Sequence, residues 1–214
     1  GNISKMAHYG KKYGALGVLN TNWGDYGDPC SLDLSLFGLA YGAARSWNVS
    51  TDIQTVAAFA DALLYNHSGT FDILQRISQL EQIAHYGDLS WMYNNLYCPG
   101  KLKFTDRKET ELLSARNQSV EILEQLRSET WEKDYFRQEI LIAVQGVAVM
   151  AELMMKLRGY AVERLTDTEA WLMQYRASWL KKNKESELAE IEKIIDLKSC
   201  QIRELPTMKA IRAK

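Results

Sequence analysis

The sequence predicts a mostly α protein, an antiparallel helical bundle preceded by a single β-strand. Three observations predict this class. The 214 residues include only 3 Pro and 13 Gly, so helix breakers are few. From about residue 50 onward, apolar residues recur at the three- and four-residue spacing of an amphipathic helix. One compact apolar run, residues 15–22, is instead typical of a buried strand.

Composition and charge exclude several classes of protein. A chain that is 46% hydrophobic and 25% charged is globular rather than disordered. The net charge of -1 gives no basic field, so we expect no nucleic-acid partner. The most apolar stretch, residues 140–157, is interrupted by Gln145, Glu152 and Lys156, which indicates a buried helix and not a membrane span. No targeting segment is visible, and the localisation stays open.

The first 50 residues follow the order helix, strand, loop, helix. The predicted boundaries are a helix over 2–14, the strand over 15–22, a Gly- and Asp-rich loop over 23–30 and a second helix ending near Trp47. Ser31 or Asp33 is the expected cap of that second helix. A lone strand cannot pair its own backbone groups, so this part of the chain needs a neighbour.

Residues 51–214 are predicted to form the helical bundle. A helix capped by Ser50 or Thr51 is expected first, and Thr166 with Glu169 fits a capping box for the last long helix. Between them the apolar stripes predict helices over 70–85, 88–97, 107–129 and 131–160. A break is expected near Asn183. These helices are expected to pack against one another as an antiparallel bundle.

Residues 17–27, Gly-Val-Leu-Asn-Thr-Asn-Trp-Gly-Asp-Tyr-Gly, resemble the last barrel strand of glycoside hydrolase family 20, the β-N-acetylhexosaminidases. In that family the strand ends in a Trp-x-carboxylate pattern and is followed by a helix that ends in an Ala-rich stretch with a Trp. Residues 43–47, Ala-Ala-Arg-Ser-Trp, match that ending. The resemblance is sharp over residues 10–48 and diffuse over the remainder.

The resemblance implies that residues 1–50 are the C-terminal end of a (β/α)8 barrel and residues 51–214 a helical C-terminal domain. The family releases terminal N-acetylhexosamine by substrate-assisted catalysis with an Asp-Glu pair on an earlier strand. No Asp-Glu dipeptide occurs in this chain. We therefore expect a C-terminal fragment with no catalytic residue of its own, inactive in isolation, whose partner is the remainder of the barrel.

Two residues carry over from the family pattern as candidate substrate-binding residues. Trp23 matches the tryptophan that packs against the sugar in the −1 subsite, where an indole face suits the apolar face of a pyranose. Asp25 matches the carboxylate that accepts hydrogen bonds from the sugar hydroxyls at O4 or O6. Many members have Glu there, and Asp is one methylene shorter. If the resemblance to the family is set aside, the sequence Gly-Asp-Tyr-Gly-Asp-Pro is typical of a turn.

No cofactor or metal site is expected from the remaining chemistry-bearing residues. The three His and three Cys follow no metal-ligand spacing. The four Asn-x-Ser triplets, at Asn2, Asn48, Asn66 and Asn117, are interpreted as unmodified. An aromatic cluster of Trp91, Tyr93 and Tyr97 could be a sugar platform, although helical spacing favours core packing.

Three hypotheses about function remain open. The fragment hypothesis predicts an exposed apolar face around Leu16, Val18, Phe37 and Tyr41, where the barrel is missing, and such a face could also form a homodimer. A non-enzymatic helical module that binds a protein or carbohydrate predicts an exposed apolar groove on the bundle instead. A complete small hydrolase would pair Asp25 with a Glu that the sequence does not single out.

Overall fold

The computed structural model describes residues 1–22, 31–84, 108–157, 159–162 and 166–189. Within these ranges the chain is all-α and contains no strand, so the mostly α class is confirmed. The helices are α1 (Asn2–Lys12), α2 (Leu36–Trp47), α3 (Ile53–Phe59), α4 (Thr70–Ala84), α5 (Glu109–Ser128), α6 (Asp134–Leu157) and α7 (Thr168–Trp179). Shorter helical turns lie at Leu32–Ser35, Ala60–Tyr65 and Glu185–Glu187, and the second of these is a π turn.

The chain divides into two compact units. The first unit comprises residues 1–75 and 130–139, and the second comprises residues 76–129 and 140–214. The start of α6 therefore belongs with the N-terminal helices, although it follows them at a distance in sequence. The division expected from the resemblance is a different one, into the end of a barrel over residues 1–50 and a helical domain over residues 51–214. That division stays a prediction.

The strand predicted over residues 15–22 is not formed. These residues have neither helical nor strand structure. The physical reason is that a strand is defined by hydrogen bonds to a neighbouring strand, and the described chain offers none. The apolar pattern of this segment was interpreted correctly as non-helical, but the pattern alone cannot supply a partner.

Helices α1 and α2 pack together in the first unit. Ala7 of α1 is buried, and Arg45 of α2 joins the ends of the neighbouring elements. Its Nη1 donates to the carbonyl of Thr51 at 2.9 Å, and its Nη2 donates to the carbonyl of Ser4 at 3.5 Å. One side chain thus ties the beginning of α1 and the residue before the cap of α3 to α2.

The corner between the π turn and α4 is organised by one carboxylate. Asp61 accepts hydrogen bonds from the backbone N–H groups of Gly69 at 2.7 Å and Phe71 at 2.9 Å. Asn66 ends the π turn in the left-handed conformation, and Gly69 has φ +85°, which favours glycine. Residues 67–69 thus form the turn that connects the π turn to α4.

Residues 130–139 hold this corner from the other side of the first unit. Lys133 Nζ donates to the carbonyls of Leu63 at 3.3 Å and Leu64 at 2.9 Å, which are left without helical partners at the end of the π turn. The His67 ring stacks on Trp131, with centroids 3.8 Å apart and planes 9° apart. These contacts make residues 130–139 part of the first unit.

The second unit has its core on α6 and α7. Trp171 is buried, and its Nε1 donates to the carbonyl of Ile142 at 3.0 Å. It approaches α6 closely because residue 146 is glycine: a Cβ there would lie 3.1 Å from Trp171 Cζ2. The buried cluster consists of Leu112, Ile142, Val149, Met150, Met154, Met155, Trp171, Tyr175 and Leu188.

Two helix caps differ from those predicted. For α3 the cap is Asp52, not Ser50 or Thr51, because its carboxylate accepts from the backbone N–H groups two and three residues ahead. For α7 the cap is Asp167, whose carboxylate accepts from the Ala170 N–H at 2.9 Å.

Thr166 does not cap α7 because it is engaged elsewhere. Its backbone N–H and its hydroxyl donate to Glu152 at 2.6 and 3.0 Å. Glu152 is only 2% exposed and also accepts from Arg116 Nε at 3.2 Å. A buried carboxylate needs several hydrogen-bond donors. Thr166, the residue that the sequence predicted as the cap, is one of the residues that donate to Glu152.

One described helix, Asp134–Lys156, is long and apolar enough to cross a membrane by length and composition alone. In its most apolar window 76% of the residues are buried inside the structure. A core helix has the same composition, and the interior position of this one matches the prediction of a helix buried on most sides.

Candidate functional site

The predicted sugar-binding residues, Trp23 and Asp25, lie outside the described residues, as does the aromatic cluster at Trp91, Tyr93 and Tyr97. The residues on either side of positions 23–30 are described, and the elements that hold them are the following.

Exposure alternates along residues 17–21. Val18 and Asn20 are half-buried, whereas Gly17, Leu19 and Thr21 are exposed. Val18 lies against α1, since a Cβ on Gly10 would be 3.6 Å from its Cγ2. A period of two is the side-chain pattern of a strand packed on one face.

Asn20 lies against α2. Its Nδ2 donates to the carbonyl of Gly38 at 3.3 Å. A Cβ on Gly42 would overlap Asn20 Nδ2 and lie 2.7 Å from its Cγ. Gly42 is the buried residue of α2, so glycine at this position is what admits the Asn20 side chain.

Residues 31–35, which follow positions 23–30 in the sequence, form a capped turn. Ser31 caps the turn at Leu32–Ser35, since its Oγ accepts from the Asp33 N–H at 3.4 Å. The Asp33 carboxylate accepts from the hydroxyls of Ser31, at 2.9 Å, and Tyr135. Ser31 therefore caps this turn and not α2 itself, whose N-cap residue is Ser35, so the prediction that Ser31 or Asp33 caps the second helix is wrong.

Much of the apolar surface around this segment is uncovered. Leu16 is fully exposed and Leu19 is 86% exposed, while Val18, Phe37 and Tyr41 are half-buried. Phe37 packs on Phe71 with ring centroids 4.5 Å apart, which explains its partial burial. Further large exposed side chains in residues 1–63 are Met6, Tyr9, Tyr13, Leu32, Trp47, Phe59 and Leu63.

Tyr65 is the described titratable group whose pKa departs clearly from its ordinary value. Burial raises the pKa of Tyr65 to about 12, the carboxylates of Asp61 and Asp33 add to the rise, and the backbone of Phe37 opposes it. The hydroxyl makes no hydrogen bond with the described residues. Because its pKa is this high, the phenol of Tyr65 stays neutral near neutral pH. It therefore packs as an apolar group and supplies no base.

The other polar clusters are structural. Among the described residues no group of three or more His, Cys, Asp or Glu side chains could hold a metal ion. His8 and His67 lie on separate elements, and His85 and the three Cys lie outside the described ranges. Glu152 has its donors inside the second unit, which gives it a packing role.

Comparison with models of known protein families, with curated proteins and with solved structures finds no match for this chain.

The sequence predicted Trp23 and Asp25 as site residues, but it did not predict the residues of α2 that contact Asn20. The available signal was the pair Gly38 and Gly42 in α2. Glycines four residues apart lie on one face of a helix and open a groove there. Asn20, a polar residue within an apolar run, was the second signal.

Proposed function

We propose that this chain is the C-terminal part of a glycoside hydrolase that releases terminal N-acetylhexosamine from glycans. In this proposal residues 1–50 are the end of the (β/α)8 barrel, and the helices after residue 50 buttress it from outside. The chain contributes one wall of the sugar site and none of the acid chemistry, which belongs to an Asp-Glu pair on an earlier strand.

The observation that carries the proposal is the one-sided packing of residues 17–21. Val18 lies against α1 and Asn20 against α2, and both are half-buried, whereas Gly17, Leu19 and Thr21 are exposed. In a barrel, helices cover one side of each strand and neighbouring strands complete the sheet. A helix–segment–helix unit with its other side open is what remains when the neighbouring strands are absent.

The roles proposed for Trp23 and Asp25 come from the resemblance to the family. In a (β/α)8 barrel the ends of the strands line the active site. An indole face there packs on the sugar ring, and a carboxylate accepts hydrogen bonds from its hydroxyls.

The distribution of exposed apolar side chains favours this proposal over a helical binding module. In the described part of the second unit, the large apolar side chains that are exposed are Leu113, Met173 and Leu180. Single exposed apolar residues of this kind are ordinary on protein surfaces. The first unit has many more, and they include the segment where the barrel would continue.

The test is an assay of the chain extended through the coding sequence that precedes Asn2 at its natural locus. The extended protein is expected to hydrolyse a chromogenic N-acetylhexosaminide, and the 214-residue chain alone is expected to be inactive. Trp23→Ala and Asp25→Asn should each lower kcat/KM by about a hundredfold or more, because each removes a contact to the reacting sugar.

Matched controls for these variants are available on the first unit. Phe59→Ala removes an exposed aromatic ring, and Asp72→Asn removes an exposed carboxylate, both on helices that follow residues 1–50 in the sequence. Both are expected to keep full activity. An extended protein without activity, or with activity that Trp23→Ala and Asp25→Asn leave unchanged, would contradict the proposal.

A further inference from the structure

We propose that Asn48 is an acceptor site for an N-linked glycan. The chain contains four Asn-x-Ser triplets, the pattern to which such glycans are attached. Because such triplets often arise by chance, the sequence alone favours leaving all four unmodified. The structure describes all four, and they differ in local fold, exposure and hydrogen bonding. This inference does not rest on the proposed function.

The triplet at Asn48 lies in an exposed turn after α2. Asn48 directly follows the last residue of α2 and has an extended backbone, with φ −137° and ψ 107°. Asn48 and Ser50 are both exposed. The Asn48 Oδ1 accepts from the Ser50 N–H at 3.0 Å, and the Asn48 carbonyl accepts from the Thr51 N–H at 2.9 Å. This Asx turn leaves the Asn48 Nδ2 without a hydrogen bond to any described residue.

The turn at Asn48 suits the chemistry of glycan transfer. In that reaction Nδ2 forms a bond to the anomeric carbon of an oligosaccharide carried on a polyprenyl diphosphate. The bond from that carbon to the diphosphate oxygen breaks, and its electron pair leaves with the diphosphate. Nδ2 loses one proton to a base of the transferring enzyme. The hydrogen bond that Oδ1 accepts polarises the amide and eases the loss of this proton.

The triplets at Asn2 and Asn117 lie inside helices. Asn2 is the first residue of α1, and Asn117 lies in the middle of α5. Residues two apart in a helix do not face each other, so the Asn and Ser of one triplet are separated. Ser119 is also fully buried, and its hydroxyl donates to the carbonyl of Ala115 at 2.8 Å. Transfer to Asn117 would therefore require α5 to unfold locally.

The triplet at Asn66 is exposed, but its acceptor nitrogen is engaged. The Asn66 Nδ2 donates to the carboxylate of Glu132. Asn66 also ends the π turn in the left-handed conformation, with φ 52° and ψ 39°. A glycan on this nitrogen would have to displace the contact with Glu132. Among the four triplets, the one at Asn48 accepts a glycan without unfolding a helix or breaking a described contact.

The test transfers a glycan to the folded 214-residue chain in vitro. The chain is incubated with a purified single-subunit oligosaccharyltransferase and a lipid-linked oligosaccharide, and mass spectrometry of its peptides gives the occupancy of each triplet. Four short peptides, each with one triplet, are the unfolded references. We expect Asn48 in the folded chain to react within about twofold of its peptide, since nothing has to open first. At Asn66 and Asn117 the folded chain should react about tenfold or more slowly than the peptides, because local opening must precede transfer.

Variants of the chain separate the triplet from its surroundings. Asn48→Gln and Ser50→Ala should each abolish the modification, because each removes one half of the acceptor pattern. Asn117→Gln, also at an exposed position, is the matched control and should leave the modification unchanged. Circular dichroism checks that the variants keep their helices. A folded chain without a glycan at Asn48, or with any other triplet modified as fast as Asn48, would overturn the inference.

Discussion

Tyr65 shows at the scale of one residue how burial sets chemistry. Its side chain is 1% exposed, and its pKa is about 12, compared with about 10 for a tyrosine in water. The folded state therefore favours the neutral phenol. The stability linked to this group is complete below about pH 10 and is lost as the pH rises toward 12.

Tyr65→Phe removes the ionisable group and should remove this loss. We expect the urea midpoint of the wild-type chain to fall further between pH 9 and pH 11.5 than that of Tyr65→Phe. Tyr9→Phe, at a 50% exposed position, is the control and should follow the wild type. Parallel curves for all three proteins would show that the folded state does not hold the phenol neutral.

Glu152 is a second residue whose surroundings predict a measurable effect. Removing it deletes the buried carboxylate that accepts from Arg116 Nε and from the backbone N–H and hydroxyl of Thr166. Glu152→Ala should lower the free energy of unfolding by about 2–3 kcal/mol, since breaking a buried pair strands its partners. Chemical denaturation measures this effect.

The control for Glu152 is an exposed pair of the same chemistry. Glu185 accepts from Arg176 Nη2 at 3.0 Å, and both side chains are largely exposed. Glu185→Ala should change the free energy of unfolding by no more than about 0.5 kcal/mol, because solvent screens surface pairs. Equal losses for the two variants would show that Glu152 is no more important than a surface carboxylate.

At the scale of elements, helix caps separate what the sequence shows from what the fold decides. Asp52 caps α3, and Asp52→Ala should lower the free energy of unfolding by about 1 kcal/mol. Ser50→Ala, two residues earlier, should have almost no effect because the Ser50 side chain caps nothing. A larger loss of unfolding free energy in Ser50→Ala than in Asp52→Ala would show that Ser50 is the cap, as the sequence predicted.

The contact between α6 and α7 depends on Gly146. Gly146→Ala gains helix propensity of about 1 kcal/mol but places its Cβ 3.1 Å from Trp171, which is anchored by its hydrogen bond to Ile142. We expect a net destabilisation of about 1 kcal/mol in thermal or urea unfolding. Gly38→Ala, in open space, should stabilise instead, and a gain from both variants would refute tight packing at Trp171.

Helices were predictable from sequence because an apolar stripe and a cap are local properties. The α2 helix ends at Trp47 and the first helix lies within residues 2–14, as their patterns predicted. The segment over residues 15–22 was not predictable in the same way, since a strand exists only with a neighbour. Exposure alternates over residues 17–21 because Val18 lies against α1 and Asn20 against α2.

The site was only partly predictable for the same reason. The Trp-x-Asp pattern can be found in the sequence, but the hydrogen bond of Asn20 to the Gly38 carbonyl joins residues 18 positions apart. Thr166 likewise fits a cap by sequence and serves Glu152 in the structure. Long-range partners of this kind decide the role of a polar residue, and a local pattern does not contain them.

At the scale of the whole molecule, the two units differ in how well they cover their apolar residues. The second unit buries a continuous cluster on α6 and α7. The first unit leaves Leu16, Leu19 and Trp47 more than 80% exposed, and Leu16 and Leu19 lie in the one segment that resembles a barrel strand. Our account explains this difference by placing the remainder of a barrel against the first unit.

The measurement that tests the proposed function most directly is to determine the coding sequence upstream of Asn2 at its natural locus. Our account predicts an in-frame sequence of alternating strands and helices, with an Asp-Glu pair directly after one of the strands. A start codon immediately upstream, with no such sequence before it, would contradict the account, because the sugar site would then have no general acid.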